Sequence, residues 1–283
     1  MGGMVWSPCP LLNFQSTQRH KDLNHLTNRK ARQFVNVIYI MWLRQLKKYF
    51  RSKSRIIGSL GQPLLFLLAF GFGFGAIFKK AGAGNYIQFL APGIIIMSVL
   101  FTAIFSGIDL IWDRQFGFLK ETMVAPVSRL QIMLGKTLGG ATVAAIQGVI
   151  VFVLTLIVGF RPHDLVLLPV GAVVVFLVAL LFTSLGISLA STMEDMQGFQ
   201  LIMNFLVMPI FFLSGALFPL EGLPKVMDVI AALDPLSYGV DGLRFAFIGA
   251  QSVFGFGTDL LVLVILTTVL LALGSRLFER IQA

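Results

Sequence analysis

A single cysteine, Cys9, stands alone in 283 residues, which rules out an intramolecular disulfide and a thiolate metal site. Charge is also scarce. Asp, Glu, Lys and Arg make up 12 % of the chain, whereas soluble domains average about 25 %. The three histidines, His20, His25 and His163, have neither mutual spacing nor neighbouring carboxylates suited to holding a metal. No complete nucleotide motif is present. Gly135-Lys136-Thr137 ends like a phosphate-binding loop, but the glycine required five positions before Gly135 is Leu130. Gly71-Phe-Gly-Phe-Gly75 lies inside an apolar run with no strand before it, so it is no dinucleotide fingerprint. It offers instead a small-residue face for close helix packing, as do Gly135 and Gly139. A membrane-embedded enzyme would need a cluster of carboxylates, histidines or nucleophiles, and none appears. The chain is not expected to bind nucleic acid, metal or cofactor by itself.

Apolar residues are abundant, at 57 % of the chain, and they fall into runs long enough to cross a bilayer. The pattern predicts an all-α integral membrane protein with six spans, near 56–78, 89–111, 138–160, 165–191, 199–218 and 260–278. Each approaches the roughly 20 residues that traverse the hydrocarbon layer. The fifth is interrupted by Pro209 and Gly215. Few ionisable groups fall in these runs. Asp109 lies near the end of span two and Asp259 at the mouth of span six, so no mid-membrane relay of carboxylates is expected. Gln147 and Asn204 are the deepest polar side chains, suited to interhelical hydrogen bonds.

Basic residues orient the chain. Eleven of 22 Lys and Arg precede Gly58, and the first apolar run begins only near Ile56, so no secretory signal peptide is expected. With the amino terminus inside, the cytoplasmic segments hold 17 basic residues and the outer ones five, which predicts both termini in the cytoplasm. Residues 1–32 read as a poorly ordered leader. Over 33–55, Phe34, Ile38, Met41, Trp42, Leu46 and Phe50 recur at helical spacing while Arg44, Lys47, Lys48 and Arg51 take another face. That pattern suits an amphipathic helix lying in the membrane interface.

The polar stretch from Asp113 to Lys136, DRQFGFLKETMVAPVSRLQIMLGK, is too charged for lipid. Trp112, Asp113, Arg114, Lys120 and Glu121 alternate with Phe116 and Phe118, which predicts a short helix over 112–124 offering charge and aromatic anchors to a soluble partner. Pro126 should end it, and Ser128 should cap the following helix. Between spans five and six, residues 219–257 hold apolar stretches too short to cross, punctuated by Pro and Gly. They predict a re-entrant helix pair, tolerated where protein or a water-filled cavity covers the backbone.

Two stretches carry a family resemblance. The 113–136 segment resembles the cytoplasmic coupling segment of ABC-2 type transport permeases, with Ala125 where that family's turn usually has threonine. FLSGALFPLEGLPKVMDVIAALDPLSYGVDGLR, Phe212–Arg244, resembles the family's extracellular signature, with Asp234 in place of the common asparagine. The likeness covers about Gln33 to Arg280 and is nearest to the drug-export and nodulation-factor-export branch. It implies a permease without its own ATPase, paired with two copies of an ABC ATPase that binds ATP and Mg, and with a second permease. The complex would sit in the plasma (inner) membrane. Coupling would run through 112–124 and the interface helix. Pro209, Gly215, Pro219, Pro224, Asp234, Pro235, Tyr238, Asp241 and Arg244 would shape the outer exit. Phe70, Phe101, Phe105, Asn204, Phe211 and Phe212 are candidates for an apolar path taken by an amphipathic drug, lipid or glycan. A stand-alone carrier or channel is the alternative, and it predicts internal repeats and mid-membrane charge, which the chain lacks.

Overall fold

In the computed structural model, residues 34–80, 85–124, 127–219 and 224–279 are described, and every regular element among them is helical. The leader over 1–32 and the Ala125–Pro126 turn lie outside the described residues. A first helix, α1, occupies 34–51. It is followed by α2 (Lys53–Lys80), α3 (Tyr86–Phe105), α4 (Ile108–Gln115), α5 (Phe118–Val124) and α6 (Arg129–Val158). A single 3-10 turn at Leu165–Leu167 leads into α7 (Leu168–Thr192), then α8 (Met196–Leu213), α9 (Lys225–Leu233), α10 (Pro235–Ile248) and α11 (Phe256–Glu279).

Six stretches are long and apolar enough to span a membrane: Lys53–Gly75, Tyr86–Gln115, Arg129–Val158, Leu165–Thr192, Met196–Leu213 and Phe256–Phe278. Their number and order match the expectation, but several boundaries differ. The third begins nine residues before Leu138, because Ser128 accepts from the Gln131 backbone while the Gln131 side chain accepts from the Ser128 N–H. That reciprocal cap satisfies two orphan donors and fixes the start. The amphipathic helix ends at Arg51 rather than Arg55. Ser52 makes the joint, its carbonyl already accepting from the Arg55 and Ile56 amides of α2. Pro209 does not break the fifth span. Gly215, at φ 73, follows its end in a backbone region costly for other residues.

α3 is the axis of the bundle. About 78 % of its most apolar window is buried, against 17 % for both α2 and α11, and α3 packs on α2, α6 and α7. Small residues permit this closeness. A methyl group on Gly107 would lie 2.5 Å from the Gly186 carbonyl oxygen, and one on Gly186 would lie 2.4 Å from that of Ile104. The chain just past α3 therefore meets α7 backbone to backbone, where packing and dispersion hold helices together in lipid. Of the Gly71–Gly75 run, only Gly71 meets a neighbour, the Ile87 side chain at 3.3 Å. Gly73 and Gly75 face open space.

The second glycine pair receives α1. A Cβ on Gly135 would sit 2.5 Å from that of Met41, and one on Gly139 would sit 2.7 Å from that of Gln45. Replacing Gly139 by leucine should therefore push α1 off α6, at the roughly 1–3 kcal/mol that overpacking costs. At about 2–4 °C per kcal/mol, thermal unfolding in detergent should shift several degrees downward. Gly61→Leu, at a position with no atom within 4 Å, should melt like the wild type. Equal melting of all three proteins would show that α1 does not depend on this contact.

Candidate coupling site

Charges separated along the chain meet where α1 crosses the ends of α4 and α6. Arg44 grips the Asp113 carboxylate with both guanidinium nitrogens, Nη2 to Oδ1 at 2.7 Å and Nη1 to Oδ2 at 3.0 Å. The Lys136 ammonium donates to the same carboxylate from α6. One turn earlier in α4, Asp109 accepts from Lys48 Nζ at 2.8 Å and holds Arg55 more loosely, at 3.4 Å. Two carboxylates thus face four cations drawn from α1, α2 and α6. Lys136 and Asp113 have side-chain exposures of 2 % and 7 %, so their pairing satisfies charges that water does not reach.

Two neutral bonds reinforce the same seat. Trp42 Nε1 donates to Thr142 Oγ1 at 3.0 Å, and the Tyr49 hydroxyl donates to Gln147 Oε1 at 2.6 Å. Gln147 thus makes the interhelical bond expected of it. Asn204 is exposed on α8 and has no hydrogen bond among the described residues.

The stretch expected as one helix over 112–124 is two. Gly117, at φ 78, separates α4 from α5 in a conformation that favours glycine. The bend sorts the side chains. Asp113 turns inward to its ion pairs, away from the outer surface where the sequence pattern had put it, because the buried Lys136 demands a counter-charge. Phe118 lies beneath Arg44, whose guanidinium carbon is 3.5 Å from the ring centroid. Arg114 pairs with Glu194 in the α7–α8 connection at 2.9 Å. Outward face Trp112 and Phe116, stacked at 5.1 Å and exposed by 43 % and 71 %. Glu121 and Val124 of α5 are also exposed. Of the basic residues on α1, Lys47 and Arg51 remain solvent-facing. The Lys120 backbone belongs to α5, and its side chain lies outside the described residues.

Sequence reasoning missed Lys136 and Arg55. The available signal was a lone ammonium eight residues into an apolar helix, which requires a carboxylate partner somewhere in the fold.

At the opposite end, α9 and α10 are too short to cross a bilayer and join at Asp234. Its Oδ1 accepts the Leu236 amide at 2.9 Å, capping α10, with Pro235 at the first helical position. Tyr238 donates to the Ala232 carbonyl at 2.7 Å. The Asp241 carboxylate accepts from Ser252 Oγ and the Phe254 amide. Arg244 ties α10 to the end of α8. It donates to the Gly215 carbonyl at 2.7 Å and lies 3.8 Å from the Phe89 ring centroid. Burial pulls the Arg244 pKa down to about 10, with Asp241 opposing that fall, so it stays cationic at neutral pH. Pro209, Pro219 and Pro224 are exposed.

The candidate path phenylalanines divide. Phe70 joins Phe211 and Phe212 through Phe66, with ring centroids 5.2–6.3 Å apart. Phe101 and Phe105 stack on each other at 6.2 Å, at the end of α3 nearer the ion pairs.

Residues 36–248 match the sequence profile of the ABC-2 type transporter family. The chain belongs to that family. Its relatives include the putative transport permease ycf38 of Cyanophora paradoxa, 28 % identical over 88 % of this chain and 89 % of the relative. Nodulation protein J of Rhizobium leguminosarum bv. trifolii is 32 % identical over 75 % and 78 %. The inner membrane transport permease YadH of Escherichia coli K12 is 26 % identical over 75 % and 83 %. The protein is therefore a multi-pass ABC-2 permease, a membrane transport subunit.

Two predictions follow from this permease's charges. Asp113→Asn leaves Lys136 buried without a counter-charge, and breaking such a pair costs about 3–5 kcal/mol. The melting temperature should fall on the order of 10 °C, and adding Lys136→Met should recover most of that loss. A double variant as unstable as the single one would remove the pair from the centre of the site.

Burial raises the Asp234 carboxyl to about 7, against the lowering effect of the Leu236 amide. The folded state thus keeps a proton that the unfolded chain releases near its ordinary value, so this group's stabilisation fades as pH climbs towards 7. Asp234→Asn retains a cap without titrating. Its melting temperature relative to the wild type should rise by a few degrees between pH 4 and pH 8, and a constant difference would contradict the assignment.

Proposed function

We propose that this ABC-2 permease is the membrane half of an ATP-driven exporter, operated by a separate ABC ATPase in a complex of two permeases and two ATPases. The observation that carries the reading is the aromatic ledge of Trp112 on α4 and Phe116 at its C-terminal cap, both exposed while Asp113 of α4 is ion-paired to α1 and α6. A ledge backed this way is a rigid face for a soluble partner, and a displacement applied there reaches α1 and the α6 span together. The excess of basic residues on this side supports a cytoplasmic location for it and for both termini, in the plasma (inner) membrane. The short α9–α10 pair would border the outer exit. An amphipathic drug, lipid or glycan suits the phenylalanine-lined spans. ATP and Mg would be bound by the ATPase.

Docking can be measured directly with the cognate ATPase. Phe116→Asp, or Trp112→Ala with Phe116→Ala, should leave the permease's melting unchanged, since both side chains face outward. Truncating an interface anchor costs about 2 kcal/mol or more, roughly thirtyfold in affinity. Co-purification and substrate-stimulated ATP hydrolysis should both decline. Wild-type ATPase binding by these variants would remove the ledge from the coupling pathway. Export from ATPase-free liposomes would favour the stand-alone carrier.

A further inference from the structure

A cavity of about 210 Å³ opens between α1, α2 and α3, beside the ion-pair network. Its walls are of two kinds. Arg55, Gln62 and Thr102 bring polar groups, whereas Met97, Phe101 and Phe105 form an apolar side. Arg55 is the unusual member. It touches Asp109 at only 3.4–3.5 Å and through Nη1 alone, while Lys48 holds the same carboxylate at 2.8 Å. Its Nε and Nη2 donors have no partner among the described residues. The surrounding network holds two more cations than carboxylates, so the local field favours another anion.

The size of the cavity narrows the ligand. Pockets for whole drug-sized molecules run about 300–1,000 Å³, so this one holds a headgroup and the first part of an apolar body. The remainder has a surface to follow, since Ile57 and Leu65 of α2 are exposed by 71 % and 65 %. The geometry points to a binding site for an anionic amphiphile: a phosphate or carboxylate head at Arg55, its apolar stem against Phe101 and Phe105, its tail along α2. A zwitterionic or cationic head would bring a positive charge to a site that already has a surplus. That this is where cargo enters rests on the exporter reading; the binding itself does not.

The test uses the purified full-length permease in phosphatidylcholine nanodiscs without any ATPase, so a failed exporter model leaves it intact. The probe is 11-(dansylamino)undecanoic acid, read by fluorescence, with bilayer partitioning defined on empty discs. Gly58 lines the cavity, and a Cβ there meets no atom within 4 Å. Gly58→Leu therefore puts an apolar side chain into the site from a position where its Cβ has room, and should abolish saturable binding. Gly61→Leu, on the same helix, should bind as the wild type does. Arg55→Gln should weaken binding about tenfold, and Arg51→Gln should not change it. Dodecyl phosphate should displace the probe, and dodecyltrimethylammonium should not. If phosphatidic acid in the disc displaces it equally, the occupant is a membrane lipid; if only the single-chain phosphate does, it is a free amphiphile. Equal binding by the wild type and Gly58→Leu, an unaffected Arg55→Gln, or equal displacement by the cationic amphiphile would each overturn the proposal.

Discussion

The Asp113 carboxylate, gripped by Arg44 from one side and Lys136 from the other, ties α1, α4 and α6 together at one point. Lys136 lies within an apolar helix, where an isolated ammonium would be costly. Asp113 offsets that cost, and the Arg44 guanidinium fits both carboxylate oxygens in the planar geometry suited to it. The consequence is positional. α1 cannot leave the bundle surface without exposing three charges, and α4 cannot rotate without taking the carboxylate from Lys136. Asp109 repeats the arrangement one turn away with one close partner, Lys48, and one loose one, Arg55, so the network is firm at Asp113 and open at Arg55.

Much of this fold was legible in the sequence, because the physics is local. Twenty apolar residues must become a helix in lipid, since no water is present to satisfy the backbone, and six such runs stand out between polar punctuation. The amphipathic period of α1, the Ser128 cap and the two short helices after α8 were visible for similar reasons. The inward or outward facing of each charge was not. Helical spacing puts Arg44 and Lys48 on a common face with Lys47 and Arg51 nearby, but it does not say that the first two meet carboxylates and the others water. Asp113 and Lys136 are 23 residues apart, and a tertiary pairing of that kind leaves no periodic trace.

Gly117 was equally hard to read. A glycine among charges and aromatics fits a helix, a turn or a break, and only the packing of Phe118 under Arg44 decides among them. At the other end, Asp234 stands where a neutral cap would serve. The burial of its carboxyl explains why an uncharged side chain fits that position at least as well.

The break at Gly117 has a mechanical consequence. With glycine at φ 78, the main chain turns between α4 and α5 instead of running on as one helix, so a load placed on α5 would not pass straight along a helix axis into α4. The stiff link is lateral, across the face of the Phe118 ring to the Arg44 guanidinium and from there to Asp113. Under such a load α5 and α4 would act as a lever braced by a strut, with α1 as the strut. Its stiffness is set by an aromatic–cation contact whose strength varies with hydration, so wetting or drying that contact would change how far a push travels.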